Sequence, residues 1–257
     1  MNMQDWSLDG KVAIVTGAAV GGIGETFALM LADAGASVVC ADINFEGAQG
    51  VADRVTESGG RALAIHVDVT DEKSIDQAVA ATIAEFGGVD ILVNNAALMI
   101  ALVGTSLIDY TRERWDEAMA VNVTGAWMFA KAVVPSMTAR GGGRIVGMSS
   151  LGAYPAGSVY GITKLAMVGL TTSLAGELGP LNITVNAIAP GFTQSEAGMK
   201  LTPQSGPMRE AIEARAATRA TGTPHELANV LHLLVSQAGD WISGQVIHVD
   251  GGSIRRP

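Results

Sequence analysis

A tyrosine and a lysine four residues apart, Tyr160 and Lys164, carry the most chemistry in this chain. On a helix that spacing stacks them on one face. An ammonium beside a phenol favours the phenolate, so the pair predicts a Tyr160 that titrates below the usual value of about 10. Such a phenol exchanges a proton with an alcohol or a carbonyl near neutral pH. Ser149 and Ser150 stand just upstream, and Asn122 further back. Tyr-x-x-x-Lys also arises by chance on surface helices, so its meaning depends on the elements that position it.

Those elements alternate. Short apolar runs at 12–15, 37–41, 62–67, 90–93, 144–148, 183–188 and 245–249 read as strands. Helical stretches fall between them at 25–34, 46–57, 111–119, 121–137 and 224–236. Another runs from a cap at Thr70 or Asp71 to Phe86, and another carries Tyr160 toward Leu178. Strand–helix alternation with right-handed crossovers predicts an α/β fold, a doubly wound parallel sheet with helices on both faces. No linker, repeat or composition shift divides residues 1–257, which read as one domain.

The first strand runs into Thr16-Gly17-Ala18-Ala19-Val20-Gly21-Gly22-Ile23-Gly24 and then a helix. Glycines there permit a tight turn and let a pyrophosphate approach the helix N-terminus. Asp42 ends the second strand, placed to accept hydrogen bonds from ribose hydroxyls and to repel a 2′-phosphate. Ala18, Ala19 and Val20 offer no compensating cation. The expected cofactor is therefore NAD rather than NADP.

The chain has 257 residues, a net charge of −9, 48% hydrophobic and 16% charged residues. That composition describes a compact globule, and the acidity argues against a nucleic-acid or anionic-membrane partner. Cys40 is the one cysteine, which precludes an intrachain disulfide and fits a reducing, cytoplasmic setting. The start, Met1 to Trp6, has neither a basic nor an apolar leader pattern. The apolar stretch 91–108 is interrupted by Asn94-Asn95 and Thr105-Ser106, which argues against a membrane span. His66, His225, His232 and His248 lack metal-ligand spacing, so no metal is expected.

With these residues in view, the chain resembles the short-chain dehydrogenase/reductase family nearly end to end. The resemblance is carried by the 16–24 turn, Asp68-Val69, Asn94-Asn95-Ala96, Asn122, Ser150, Tyr160 with Lys164, Pro190-Gly191 and Asp250-Gly251-Gly252. It implies a single-domain Rossmann fold, usually homotetrameric, and reversible alcohol–carbonyl redox chemistry on a small molecule with a nicotinamide cofactor. It also implies roles. Gly17, Gly22, Ile23 and Gly24 would form the pyrophosphate turn, Asp68 and Val69 would hold adenine, and Asn94 and Ala96 the adenosine side. Lys164 would bind the nicotinamide ribose, while the segment around Ile188, Pro190, Gly191 and Ser195 would hold the carboxamide. Tyr160 would transfer the proton, Ser150 would orient the substrate oxygen, and Asn122 would anchor a water that relays protons to Lys164.

The chain departs from the family's pattern in places. Four residues separate Gly17 from Gly22, one more than is usual. Counting back from Tyr160 by the common spacing lands on Gly147, so the loop 151–159 is shortened. Alternation lets one of Ser149 and Ser150 face the substrate, and the family's placement of the second serine of the pair implies Ser150. Ala97 stands where glycine is frequent. The tract 192–223, with Met199, Leu201, Pro203, Met208 and Ile212, reads as an apolar substrate lid. With Leu98, Met99 and Tyr154 it predicts a hydrophobic substrate. A hydroxysteroid, a cyclic or aryl alcohol and a 3-hydroxyacyl thioester all fit. A regulator that senses NAD without chemistry is the rival class, but such proteins usually lose the Tyr or the Lys.

Overall fold

The computed structural model describes residues 6–102, 104–154, 157–201, 205–218 and 221–255. Among them β1 (Val12–Thr16), β2 (Ser37–Asp42), β3 (Arg61–His66), β4 (Ile91–Asn94), β5 (Gly143–Met148), β6 (Ile183–Pro190) and β7 (Val246–Val249) form one sheet. All neighbours pair in parallel, in the order β3-β2-β1-β4-β5-β6-β7. The helices are α1 (Ile23–Asp33), α2 (Phe45–Glu57), α3 (Glu72–Phe86), α4 (Arg112–Met119), α5 (Gly125–Ala139), α6 (Val159–Leu178), α7 (Glu196–Leu201), α8 (Pro207–Arg215) and α9 (Pro224–Val235). This is the doubly wound α/β architecture that the alternation predicts.

Strand side chains alternate between faces, and the core divides accordingly. Ala13, Val15, Val38, Cys40, Ile91 and Val93 join Phe27 and Leu31 of α1, Val51 of α2 and Leu231 of α9. Their chain neighbours Ile14, Val39, Ala41 and Leu92 join Ile75 of α3 and Phe129 and Val133 of α5. The strand order reverses between β1 and β4, so the loops leaving their carboxyl ends diverge and open a crevice.

Local chemistry starts the helices that border this crevice. The Asn44 side chain accepts from the Gly47 amide at 3.1 Å ahead of α2. Of the two candidate caps for α3, Asp71 acts, accepting from Lys73 N at 3.0 Å. Ser158 accepts from the Gly161 amide at 3.0 Å and sets Tyr160 in the first turn of α6. Asn122 lies in a π turn, Ala120–Thr124, that joins α4 to α5 without a break. The irregular tract expected at 192–223 contains α7 and α8. Within it, Pro203 and the side chains of Leu201 and Met208 lie outside the described residues, as does Pro155 of the shortened loop.

Helix α5 abuts the segment after β3 closely. A Cβ added at Gly125 would lie 2.6 Å from the Val69 carbonyl oxygen. Gly125→Ala should therefore displace 68–70 and lower stability by about 1–3 kcal/mol, as overpacking does. Urea unfolding checks this through a lower midpoint at unchanged slope. An unaltered midpoint would contradict the contact.

Candidate active site

Tyr160 and Lys164 face the crevice from α6, with Ser149 and Ser150 at the exit of β5. The adjacent serines point apart. Ser149 is buried and donates to the Lys164 carbonyl oxygen at 2.9 Å. Ser150 turns toward the phenol, hydrogen-bonds Tyr160, and accepts from the Gly152 amide at 3.0 Å.

The expected phenolate is overturned. Lys164 is buried, and its ammonium reaches past the ring to donate to the Met148 carbonyl at 2.9 Å. Its Nζ lies 5.5 Å from the ring centroid. Burial pushes the phenol up to about 12, with the Ser150 hydrogen bond opposing the rise. Burial also pushes the Lys164 ammonium down to about 8. Desolvation disfavours both charged forms and outweighs their mutual attraction, which is weak at this separation.

Asn122 is buried with its amide fully engaged. Its Nδ2 donates to the Leu98 carbonyl at 2.9 Å and to Thr163 Oγ1 at 3.0 Å, while Oδ1 accepts from the Leu98 amide at 2.7 Å. Thr163 donates in turn to the Tyr160 carbonyl at 2.8 Å. The side chain thus ties the wall after β4 to the helix that bears Tyr160. The π turn belongs with this, since such bulges re-aim a residue without ending the helix.

The 16–24 turn forms the other half of the floor. A Cβ at Gly24 would lie 2.2 Å from the Gly17 carbonyl oxygen, and one at Gly17 would lie 2.8 Å from the Ala96 Cα. Both glycines are fixed by close packing. Gly22 precedes α1 without a side-chain cap, so the first-turn amides beginning at Ile23 face the crevice. The longer turn is braced from within: Asp42 accepts from the Ala19 amide at 2.9 Å, and Glu25 accepts from the Gly21 amide at 2.7 Å. Arg54 of α2 pairs with Glu25. A bare backbone at a helix N-terminus, with a half-buried carboxylate at the end of β2, suits a diphosphate and a ribose.

These parts line one cleft of about 760 Å³. Of the residues singled out in the sequence, Gly17, Gly22, Ile23, Asp42, Asp68, Val69, Ala96, Ser150, Tyr160, Lys164, Pro190, Gly191 and Ser195 line it. Gly24, Asn94 and Asn122 stand behind its wall. Asn94 donates to the Ala126 carbonyl at 3.0 Å, and its neighbour Asn95 lines the cleft instead. The Asp68 carboxylate accepts from both the amide and the hydroxyl of Thr70, which hold it below the usual carboxylate range. A Cβ at Gly191 would lie 2.7 Å from the Asp250 Cα, which packs the closing Asp250-Gly251-Gly252 turn under that wall. Tyr154 packs beside His248, ring centroids 5.5 Å apart, and does not line the cleft. Leu98, Met99 and Ile100 form one wall, and Phe192, Ala197 and Gly198 the other. Glu196 and Lys200 also line it, although sequence reasoning passed over them despite their i,i+4 spacing. Arg54 lies 29 residues from Glu25, and no local pattern links them. Among the described residues no group of side chains could hold a metal, and no helix is long and apolar enough to cross a membrane.

A family model described as Enoyl-(Acyl carrier protein) reductase matches residues 17–253. The chain belongs to the short-chain dehydrogenase/reductase family of oxidoreductases. An uncharacterized oxidoreductase of Mycobacterium tuberculosis is 42% identical, over 96% of this chain and 99% of its own length. A 3-oxoacyl-[acyl-carrier-protein] reductase of Thermotoga maritima is 34% identical, over 96% of this chain and 99% of its own. The solved structure of a 7α-hydroxysteroid dehydrogenase complexed with NADH and 7-oxo glycochenodeoxycholic acid matches with a TM-score of 0.88 at 34% identity. It covers 100% of this chain and 99% of that one.

Burial of Lys164 makes a stability prediction with a sign. Its folded pKa of about 8 lies below its ordinary 10.5. At pH 7 the folded protein holds a desolvated charge that the unfolded chain solvates. As pH rises from 8 toward 10 the folded form sheds that proton first, so stability rises across this window. Lys164→Met should be more stable at pH 7 by about 1–3 kcal/mol, the desolvation relief less a lost hydrogen bond. The advantage should shrink toward pH 9.5. Thermal melts of both proteins at these pH values check it, and a pH-independent difference would refute it.

Proposed function

We propose that this protein is an NAD(H)-dependent oxidoreductase that interconverts a secondary alcohol and a ketone on a hydrophobic small molecule. The observation that carries the reading is the convergence of Ser150, Tyr160 and Lys164 on the cleft that also holds the glycine turn and Asp42. In this reading Gly22 and Ile23 receive the diphosphate, Asp42 the adenosine ribose, Asp68 and Val69 the adenine, and Lys164 the nicotinamide ribose. Ala96, Pro190, Gly191 and Ser195 border the dinucleotide, while Gly17, Gly24 and Asn94 support it from behind. When bound, the nicotinamide supplies or takes the hydride and, if oxidised, adds a positive charge beside the phenol.

The chain's own residues handle the proton. Tyr160, neutral because burial holds its proton, donates from Oη to a carbonyl oxygen during reduction. In the opposite direction it must first lose that proton, so alcohol oxidation gains rate as pH rises. Ser150 donates to the substrate oxygen and fixes it in line. Lys164 carries the proton onward, toward a water held near Asn122. The apolar walls Leu98–Ile100 and Phe192 exclude bulk water and favour a hydrophobic substrate, with 192–223 as the lid. The four-residue spacing of Tyr160 and Lys164 supports alcohol–carbonyl chemistry over enoyl reduction. The Thermotoga maritima relative favours a second reading, reduction of a 3-oxoacyl thioester by the same residues. A cytoplasmic setting belongs to the proposal, resting on Cys40 as the one cysteine.

We further read the protein as a homotetramer, assembled through the helices near 121–137 and 161–178, because Trp127 and Leu165 remain exposed on α5 and α6. Helices apolar beyond one face need a second cover, and closed symmetric assembly supplies it. Sedimentation at micromolar concentration should give four times the chain mass; a monomer would exclude the assembly.

A panel of secondary alcohols with NAD, followed by the absorbance of the reduced cofactor, tests the chemistry. Turnover should appear with a hydrophobic member, with NAD preferred over NADP by about a hundredfold, as a lost charge-assisted bond and added repulsion require. Tyr160→Phe should lose about a hundredfold or more in kcat while binding NAD almost unchanged. A Phe variant that keeps most of its rate would remove the proton-transfer role, and equal use of both cofactors the role of Asp42.

A further inference from the structure

The segment after β6 reaches across the cleft and touches the glycine turn. The Glu196 amide donates to the Gly21 carbonyl oxygen at 3.1 Å. The Glu196 side chain sits so close above Gly21 that a Cβ there would lie 2.5 Å from its Oε2. Gly21 takes φ +89°, in the left-handed region, and so is fitted to this contact twice over. One helical turn on, Lys200 Nζ pairs with Glu196 Oε1 at 2.7 Å. Both side chains line the cleft, and the cations among its described lining residues are Lys164 and Lys200. Lys164 is buried at the far end on the Met148 carbonyl.

Charge decides how this contact responds to a ligand. A dinucleotide diphosphate on the open amides of α1 lies beside Gly21 and Gly22, hence beside the Glu196 carboxylate. A second carboxylate, Glu25, already stands under Gly21, but Arg54 neutralises it. Among the described residues, Glu196 pairs with Lys200. Two anions brought together at the mouth of an acidic cleft with Asp42 and Asp68 repel, and a neighbouring ammonium has more to gain from the diphosphate than from one carboxylate.

We propose that Lys200 is a diphosphate-binding residue that exchanges partners, leaving Glu196 for the cofactor diphosphate when the dinucleotide enters. The exchange rests on the reading of the cleft as a dinucleotide site. It couples the position of α7 to occupancy of the diphosphate site: Glu196 bridges the cleft when that site is empty, and Lys200 bridges it when the site is filled. The site selects for a diphosphate and ignores the base.

Titration calorimetry with NAD, ADP and adenosine tests the exchange without any turnover. Lys200 and Glu196 side chains are 59% and 60% exposed, so solvent screening limits the effect. Lys200→Met should weaken NAD and ADP by about fivefold, lessen the salt dependence of both, and leave adenosine unchanged. Glu196→Gln should tighten NAD and ADP, again without touching adenosine. Equal ADP affinity in the Lys200→Met and unaltered proteins overturns the proposal while leaving NAD binding intact. Loss of adenosine binding in step with ADP overturns it too, since the role would then be structural. An unaltered protein that binds neither NAD nor ADP removes the dinucleotide reading and this proposal together.

Discussion

The carboxyl ends of β1 and β4 have to be held side by side, and a small knot of hydrogen bonds does so. Thr16 Oγ1 donates to the Val93 carbonyl at 3.3 Å and accepts from the Asn95 and Ala96 amides at 3.0 and 3.1 Å. Asn95 Nδ2 returns two bonds, to the carbonyls of Thr16 and Gly17 at 3.0 and 2.9 Å. The β1–β4 ladder reaches Val15 and Val93, and these bonds carry the pairing past it to the point where the two loops diverge. Everything in the cleft hangs from this point. The glycine turn leaves from one side of it, and the wall that Asn122 clamps through Leu98 leaves from the other.

The second organising feature is dryness. Lys164 is a buried cation that donates to a backbone carbonyl, and Tyr160 is a phenol whose surroundings resist its ionisation. Neither state is comfortable alone. Burial brings the Lys164 ammonium toward neutrality but holds the Tyr160 proton firmly, so ionising the phenol calls for added positive charge beside it. Both shifts arise from burial rather than from direct contact between the pair.

How much of this was legible in the sequence varies with the range of the interaction. Short apolar runs and glycine stops located the strands because a sheet buried on both faces leaves that signature locally. The pairing of Tyr160 with Lys164 was readable because four residues is one helical turn. The direction of their pKa shifts was not, since desolvation depends on residues such as Leu102, Ala118 and Met148 that pack around them from other elements. Alternation at a strand end predicted that Ser149 and Ser150 part, which they do, but the choice of Ser150 came from the family resemblance. Asn94 and Asn95 show the limit of that logic: their neighbouring side chains also part, but which one faced the cleft required knowing where α5 lies. The α7 and α8 helices were missed because prolines and glycines punctuate their tract, and Arg54 was missed because α1 and α2 meet only in space.

The extra residue in the glycine turn also leaves a mark on the next helix. The turn leans onto α2, where a Cβ at Gly47 would lie 2.8 Å from the Ala19 Cβ and one at Gly50 would lie 3.4 Å from Val20 Cγ2. Glycine is costly to helix propensity, and at Gly47 it makes room for the turn, which Gly50 meets at ordinary contact distance. The conformation of the turn and the inner face of α2 are therefore coupled through this contact. A loop graft from a shorter-turned relative would open a void above Gly47 and Gly50 unless larger side chains came with it. The longer turn, moved the other way, would arrive without a berth.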